Sequence, residues 1–395
     1  MRTGKLNSSG HASPSALSVP SVLAMVAIVA GILVIPLRVD ALSHMQLKEA
    51  LVQEVDQLLS SEDRNDIPGA AILVVKDGQI LLKKGYGLSN LENKNPITPD
   101  TAFLIGSITK QFTAMAIMML VERGKISYDD SICNYFPNFP PYAEAITIRH
   151  LLVHTSGLPD CEAILIARGL IDLDWPRSLK SKPSEFEPTV KDVLRVISQT
   201  EEPRFTPGTE WEYSNSGYVV LAQIVEIVSG QKFASFLEEN IFEPLKMNST
   251  VLCDKLRPTI KNSASSYLFS GGVYSEIDYA PQNAIYGHNN IYTTIEDMYK
   301  WDQALYTEEL VSSSAMEEAF TSGKTNNGKD IHYGFGWRVG EAEGCRMLSH
   351  GGRWLGFRTG ILRIPERHFT VVILANSTEA GISTWMDRIV DRCLD

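Results

Sequence analysis

Cysteine is scarce in this 395-residue chain: the five present, Cys133, Cys161, Cys253, Cys345 and Cys393, lie far apart and form no C-x-x-C pair. That spacing gives no support for a zinc site or a dithiol redox motif, and it assigns no disulfide. Buried free thiols are the default reading, with at least one thiol unpaired in an exported protein unless it bridges two chains. Lys/Arg-rich runs are missing as well. With 36 basic against 47 acidic residues the formal charge is -11, so neither nucleic acid nor an anionic membrane surface is a natural partner. Internal repeats and low-complexity tracts are also absent. What remains is a chain with 44% hydrophobic residues, enough for a sizeable core in one large domain with a lobe, or in two.

The N-terminus differs in character. Arg2 and Lys5 precede a segment without formal charge up to Arg38, whose core, Val22 to Leu37, is apolar apart from the breakers Gly31 and Pro36. A charged start followed by an apolar stretch of this length reads as an export signal over residues 1–41, with Val39-Asp40-Ala41 as a small-x-small cleavage site. The alternative is an uncleaved signal anchor, with membrane attachment only through residues 21–37, although the run is short for a spanning helix. Either way the remaining part, 42–395, faces outward, periplasmic or secreted.

Beyond it, Leu47, Leu51, Val55 and Leu58 recur at helical spacing, so Met45 to Ser60 is expected to be an amphipathic helix. Ala70 to Lys76 and Gln79 to Tyr86 are β-rich runs joined by Asp77-Gly78, a strong hairpin signal. Leu88 to Phe103 reads as loop, and Arg123 to about Asn290 as mostly helices and loops, with Pro159 to Lys191 a surface excursion. Tyr218 to Ser229 is a helix closed by Gly230. Tyr333 to Val339, Cys345 to Ser349, Phe357 to Ile364 and Phe369 to Asn376 are strands, and Ile382 to Leu394 a closing helix. The order predicts an α+β fold: an antiparallel sheet flanked by helices and built from both chain ends, about 42–106 and 291–395, with a mostly helical lobe inserted over about 107–290. A cleft between the two parts is the expected place for a small-molecule site.

Three stretches carry chemistry. In Ser107-Ile108-Thr109-Lys110 the hydroxyl and the amine are three residues apart, on one face of a helix that begins near the serine. From Ile108 to Val121 only Thr109, Lys110, Gln111 and Thr113 are polar, so the helix is enclosed and Lys110 sits in an apolar setting. Desolvation disfavours its ammonium and suits it to take a proton from serine, while the helix start offers N–H groups to an oxyanion. Tyr213-Ser214-Asn215 places a phenol and a carboxamide two residues apart in a loop; read alone, it is a core tyrosine and a helix-capping asparagine. His350-Gly351-Gly352, at a strand end, is a tight turn or a place where a ligand can approach the backbone.

Together and in this order, the three stretches resemble the motifs of the serine β-lactamase and penicillin-binding-protein superfamily. The likeness is closest to its class C β-lactamase-like branch of esterases, D-stereospecific peptidases and β-lactamase-related proteins. Leu151 to Leu158, Pro207-Gly208-Thr209, Pro244 to Met247 and Thr293 to Met298 are similar to further signatures of that branch, and the resemblance covers roughly 46–395. It implies Ser107 as acyl-enzyme nucleophile, Lys110 as its proton acceptor, and Tyr213 as the shuttle to the leaving group. Asn215 would orient the substrate amide or Lys110, His350, Gly351 and Gly352 would contact substrate, and the backbone N–H groups of Ser107 and Arg353 would form the oxyanion hole. No cofactor or metal is implied. The partner is a small-molecule or peptide substrate.

Two departures narrow the reading. Where β-lactamases of the superfamily carry Lys-Thr-Gly, this chain has His350-Gly351-Gly352, which disfavours β-lactamase activity proper and suggests a histidine anchor that titrates near neutral pH. In Gly287 to Tyr292, His288 and Asn290 are read either as cleft-lining or as part of a solvent-facing loop, and His154 as structural. The function expected is an exported serine hydrolase acting on D-residue peptides, peptidoglycan-like fragments or simple esters. A β-lactamase and a non-catalytic β-lactam- or peptide-binding sensor are the alternatives.

Overall fold

A computed structural model describes residues 45–59, 66–169, 186–256 and 259–394. The export segment and part of the Pro159–Lys191 excursion lie outside these residues. Residues 45–59 are helical, and residues 51–395 form the compact body considered below.

Six antiparallel strands make the main sheet. β1 (Ala70–Lys76) and β2 (Gln79–Tyr86) come from the N-terminal part; β3 (Arg338–Ala342), β4 (Cys345–Trp354), β5 (Phe357–Ile364) and β6 (Phe369–Ala375) come from the C-terminal part. Their order across the sheet is β3-β4-β5-β6-β1-β2, so the two chain ends meet where β1 pairs with β6, Ala70 opposite Ala375. The Asp77-Gly78 turn has both residues at positive φ (52° and 74°), the geometry that matches the twist of a two-residue hairpin. β1 and β6 are buried on both faces, which is why they read as unbroken apolar runs rather than alternating ones.

Helices cover both faces of the sheet. α3 (Ile295–Ala304) packs on one face, where Asp302 accepts from Arg363 of β5 (Nε to Oδ1, 2.6 Å) and from Thr370 Oγ1 of β6 (2.7 Å), all three buried. α4 (Ile382–Leu394) lies on the other, with Ile382 and Met386 against Gly360. Glu54 ties residues 51–59 to α4 through Arg388 and Arg392. Between the sheet strands the chain forms the mostly helical portion, centred on α1 (Thr109–Glu122) and α2 (Asn215–Ser229). α1 is buried from Thr109 to Leu120, as its near-continuous apolar sequence demands. Gly230 ends α2 in the left-handed conformation (φ 73°).

Several boundaries differ from those expected. Ser107 lies in a short 3-10 turn, Gly106–Ile108, that leads into α1. The strand expected from Tyr333 begins only at Arg338, because Gly336 adopts φ 79°, which a strand does not accommodate. His350-Gly351-Gly352 is inside β4 rather than at a strand end. Leu88 to Phe103 contains short strand pieces, and Phe103–Leu104 pairs with Ile291–Thr293 in a separate three-stranded ribbon. The five cysteines are free, with Cys161, Cys253 and Cys393 buried. No single helix among the described residues is long and apolar enough to cross a membrane.

Candidate active site

The site grows from the first turn of α1. Lys110 is fully buried, and its Nζ has three neighbours at hydrogen-bonding distance: Ser107 Oγ at 3.2 Å, Asn215 Oδ1 at 2.9 Å and the His288 carbonyl at 3.1 Å. The rings of Tyr213 and Tyr218 pack near the amine, with centroids 4.8 and 5.5 Å away. Burial pulls the Lys110 pKa down to about 7, against the smaller upward pull of the Glu162 and Asp160 carboxylates. A neutral amine has two N–H bonds and one lone pair. The Asn215 amide oxygen and the His288 carbonyl only accept, so they take the two N–H bonds, and the lone pair is left facing the Ser107 hydroxyl.

Helix α2 holds the second motif. Ser214 is its N-cap, its hydroxyl accepting from Gly217 N–H at 3.1 Å, so the asparagine is not the cap; Asn215, as the first helical residue, is free to turn to Lys110. The Tyr213 hydroxyl is buried and, among the described residues, has no partner in hydrogen-bonding geometry. Burial raises its pKa, while the Ser107 hydroxyl, near enough to hydrogen-bond the phenolate, and the Arg338 cation pull it down.

Strand β4 supplies the third side. A Cβ on Gly352 would collide with the Ile105 carbonyl and the Thr359 hydroxyl; a Cβ on Gly106, itself at φ 58°, would lie 2.7 Å from Arg353 N. Two glycines in contact therefore let β4 approach the Ser107 turn until the Arg353 amide borders it. The Ser107 N–H belongs to the first turn of its helix, where amides have no intrahelical acceptor.

His350 lines the cavity beside Ser107, but not as a group that titrates near neutral pH. It is buried, with Nδ1 2.8 Å from the Gly351 carbonyl and Nε2 3.0 Å from the Tyr333 hydroxyl. The carbonyl can only accept, so Nδ1 carries the proton and Nε2 accepts from Tyr333 O–H. Burial, reinforced by Lys110, lowers its pKa to about 3. The expected histidine anchor titrating near neutral pH is thus overturned: the imidazole is neutral and both its nitrogens are engaged. His288 and Asn290 are corrected too. Both are buried and neither lines the cavity at Ser107; His288 contributes its carbonyl to Lys110, and Asn290 Nδ2 binds the carbonyls of Asn283 and Ile285.

A cavity of about 680 Å³ opens beside Ser107 and Tyr213 and runs along β4 to the first turns of α4. Alternation along the strands puts Ser349, Gly351 and Arg353 of β4 on one face, with Arg338 opposite Ser349 and Arg358 opposite Arg353. Arg338 and Arg353 are exposed in this cavity, and among the described residues neither forms an ion pair, whereas Arg358 Nη1 binds the Leu355 and Phe357 carbonyls. Asn215 does not line the cavity and reaches the chemistry through Lys110.

Residues 49–385 match the family model described as Beta-lactamase. The chain belongs to the beta-lactamase family. It is 33% identical over 322 residues to penicillin-binding protein 4* of Bacillus subtilis, covering 78% of this chain and 68% of that protein. The chain spans 62–68% of the length of these curated relatives. Among solved structures, the octameric penicillin-binding protein homologue from Pyrococcus abyssi is similar at TM-score 0.70 and 28% identity, over 88% of this chain and 76% of that one. D-amino acid amidase from Ochrobactrum anthropi SV3 shares the fold at TM-score 0.70 and 22% identity, over 87% and 98%. The family and these neighbours make this a serine-hydrolase fold of the β-lactamase and penicillin-binding-protein type, and the α+β architecture read from the sequence is the one observed.

Three contributors escaped the sequence reading. The His288 carbonyl is a backbone group and carries no side-chain signal. Tyr333 lies in a segment read as a strand, which hid its contact with His350. Arg338 becomes a cavity residue only through the β3–β4 register.

Proposed function

We propose that this protein is an exported serine hydrolase that cleaves an ester or amide bond through an acyl-enzyme on Ser107. The observation that carries the reading is Lys110, buried, its pKa pulled down to about 7 by desolvation, and as the free amine left with one lone pair toward Ser107 Oγ at 3.2 Å. As Oγ attacks the carbonyl carbon, its proton passes to Lys110 Nζ. The negative charge that develops on the carbonyl oxygen is received by the Ser107 and Arg353 N–H groups; fixed donors of this kind contribute a factor of about 10²–10³ each. The bond from the carbonyl carbon to the leaving group then breaks, Tyr213 giving its hydroxyl proton to the leaving group and taking the one held on Lys110. Water next attacks the acyl carbon and passes a proton to Lys110, and the carbon–Oγ bond breaks as Oγ is reprotonated.

Substrate recognition is assigned to the cavity along β4. With His350 neutral, the permanent cations lining the cavity are Arg338, Arg353 and Arg358; Arg358 is partly engaged by backbone carbonyls, and the other two suit an acyl compound bearing a carboxylate. Small peptides with D-residues, peptidoglycan-like fragments and simple esters fit this requirement to different degrees. The similarity to a penicillin-binding protein and the fold shared with a D-amino acid amidase support the first two. Arg2, Lys5 and the apolar stretch that follows them support the export part of the proposal.

A panel of p-nitrophenyl esters, D-alanyl amides and a chromogenic cephalosporin on the purified protein tests the reading. Ester or D-amide turnover is expected, with slow or no cephalosporin turnover and a covalent adduct on Ser107 by mass spectrometry. Hydrolysis unchanged in Ser107→Ala, or no adduct with any acylating probe, would overturn it in favour of a binding protein. Cephalosporin turnover at ordinary enzyme rates would instead make the protein a β-lactamase.

A further inference from the structure

His154 is read from the sequence as structural, yet the fold places it against every residue of the segment that carries Tyr213. It is fully buried and sits in the left-handed region (φ 63°), where histidine is among the few tolerated side chains. Its carbonyl accepts from Glu212 N–H at 3.0 Å, and its Nδ1 accepts from Ser214 N–H at 3.1 Å. Between these two bonds the Tyr213 ring lies on the imidazole, centroids 4.4 Å apart. The same turn binds the loop further back: Gly157 O accepts from Arg204 N–H and Thr155 O from Gly208 N–H. Residues 204–214 are thus laced to residues 154–157, and the lacing ends on the two amides that flank the tyrosine.

Tyr213 needs such support because, among the described residues, its hydroxyl has no partner in hydrogen-bonding geometry to hold it beside Ser107. The backbone on either side and the ring face are what aim the phenol. We propose that His154 is a positioning residue for the reaction, clamping residues 212–214 so that the Tyr213 hydroxyl is held beside Ser107 and Lys110. The inference rests on the Ser107 hydrolase reading and adds to it a residue that touches neither substrate nor the serine. Because Nδ1 accepts from an amide, it carries no proton, and the imidazole acts as a fixed acceptor rather than a proton carrier. Burial first, then the Lys110 and Arg338 cations, keep it neutral far below the usual histidine range.

The test compares His154→Ala with His154→Asn, each alone and with Tyr213→Phe. Asparagine tolerates the left-handed backbone and offers Oδ1 in place of Nδ1. With p-nitrophenyl acetate, whose leaving group needs little protonation and keeps the Tyr213→Phe enzymes measurable, His154→Ala should lower kcat by roughly tenfold to a hundredfold at nearly constant KM, the scale of a misplaced catalytic group. His154→Asn should recover most of that loss, and neither change should lower kcat further once Tyr213 is phenylalanine. A second readout is independent of turnover: exchange of the Ser214 amide should speed at least about tenfold in His154→Ala and return toward wild type in His154→Asn. If His154→Ala does not fold, the asparagine variant with and without Tyr213→Phe carries both readouts. A loss that persists undiminished beside Tyr213→Phe, an asparagine variant as impaired as alanine, or unchanged Ser214 exchange would overturn the clamp. A wild-type protein that turns over no ester or amide overturns the hydrolase reading instead, and Ser214 exchange still decides the clamp.

Discussion

Asn215 Oδ1 accepts from Lys110 Nζ at 2.9 Å across 105 positions of sequence, and with the His288 carbonyl it decides which way the lysine lone pair points. Replacing this neutral acceptor by a carboxylate of the same size changes charge but not shape. Asn215→Asp should therefore favour the ammonium and raise the Lys110 pKa by about 1–3 units, the range for an adjacent opposite charge. The acid limb of the kcat/KM profile should move toward alkaline pH by at least about one unit. An unmoved limb would separate Lys110 from the ionisation that controls the rate.

In the wild-type protein the same limb should lie near pH 7, since only the free amine can take the Ser107 proton and burial lowers the pKa to about 7. The shift also has a stability consequence. The reference lysine value is 10.5, so between about 7 and 10.5 the unfolded chain holds a proton that the folded one lacks, and stability rises with pH through that window. Below about 7 both states are charged and the burial penalty is complete. Lys110→Met should abolish acylation of Ser107, and the difference in Tm between variant and wild type should be more in the variant's favour at pH 6.5 than at pH 9.5.

Carboxylate recognition should be indifferent to His350 titration, because the imidazole pKa is lowered to about 3 and both ring nitrogens are bonded. KM for an anionic ester should stay flat between pH 5.5 and 8.5. Arg338→Gln and Arg353→Gln should each raise KM for that ester by about tenfold, the scale of one charge-assisted hydrogen bond, while a neutral ester of equal size is little affected. A KM that climbs as pH passes about 6.5 would return the anchoring role to histidine.

Asp302 and Arg363 join α3 to β5 at 2.6 Å in full burial, with Thr370 on the same carboxylate. Removing one partner strands a charge in the core. Asp302→Ala should cost about 3–5 kcal/mol in urea unfolding, far more than loss of the partly exposed Arg149–Glu318 pair, for which about 0–1 kcal/mol is expected.

The sequence by itself determined the local rules of this protein. Asp77-Gly78 selects a hairpin, the apolar run after Ser107 can only be a buried helix, and a Ser/Lys pair three residues apart must share a face, because each of these depends on neighbours within a few positions. Charge state and long-range placement were decided by the tertiary structure. His350 looks like a titrating anchor until its own ring is buried and Tyr333 closes on its Nε2; Arg338 is an ordinary strand residue until the β3–β4 register puts it opposite Ser349. Lys110 likewise loses its preference for the charged form only when Asn215, His288 and two tyrosine rings from distant segments exclude water around it. Desolvation and hydrogen-bond direction are properties of the packed interior, and packing joins residues that the linear sequence keeps apart, Lys110 and Asn215 by 105 positions.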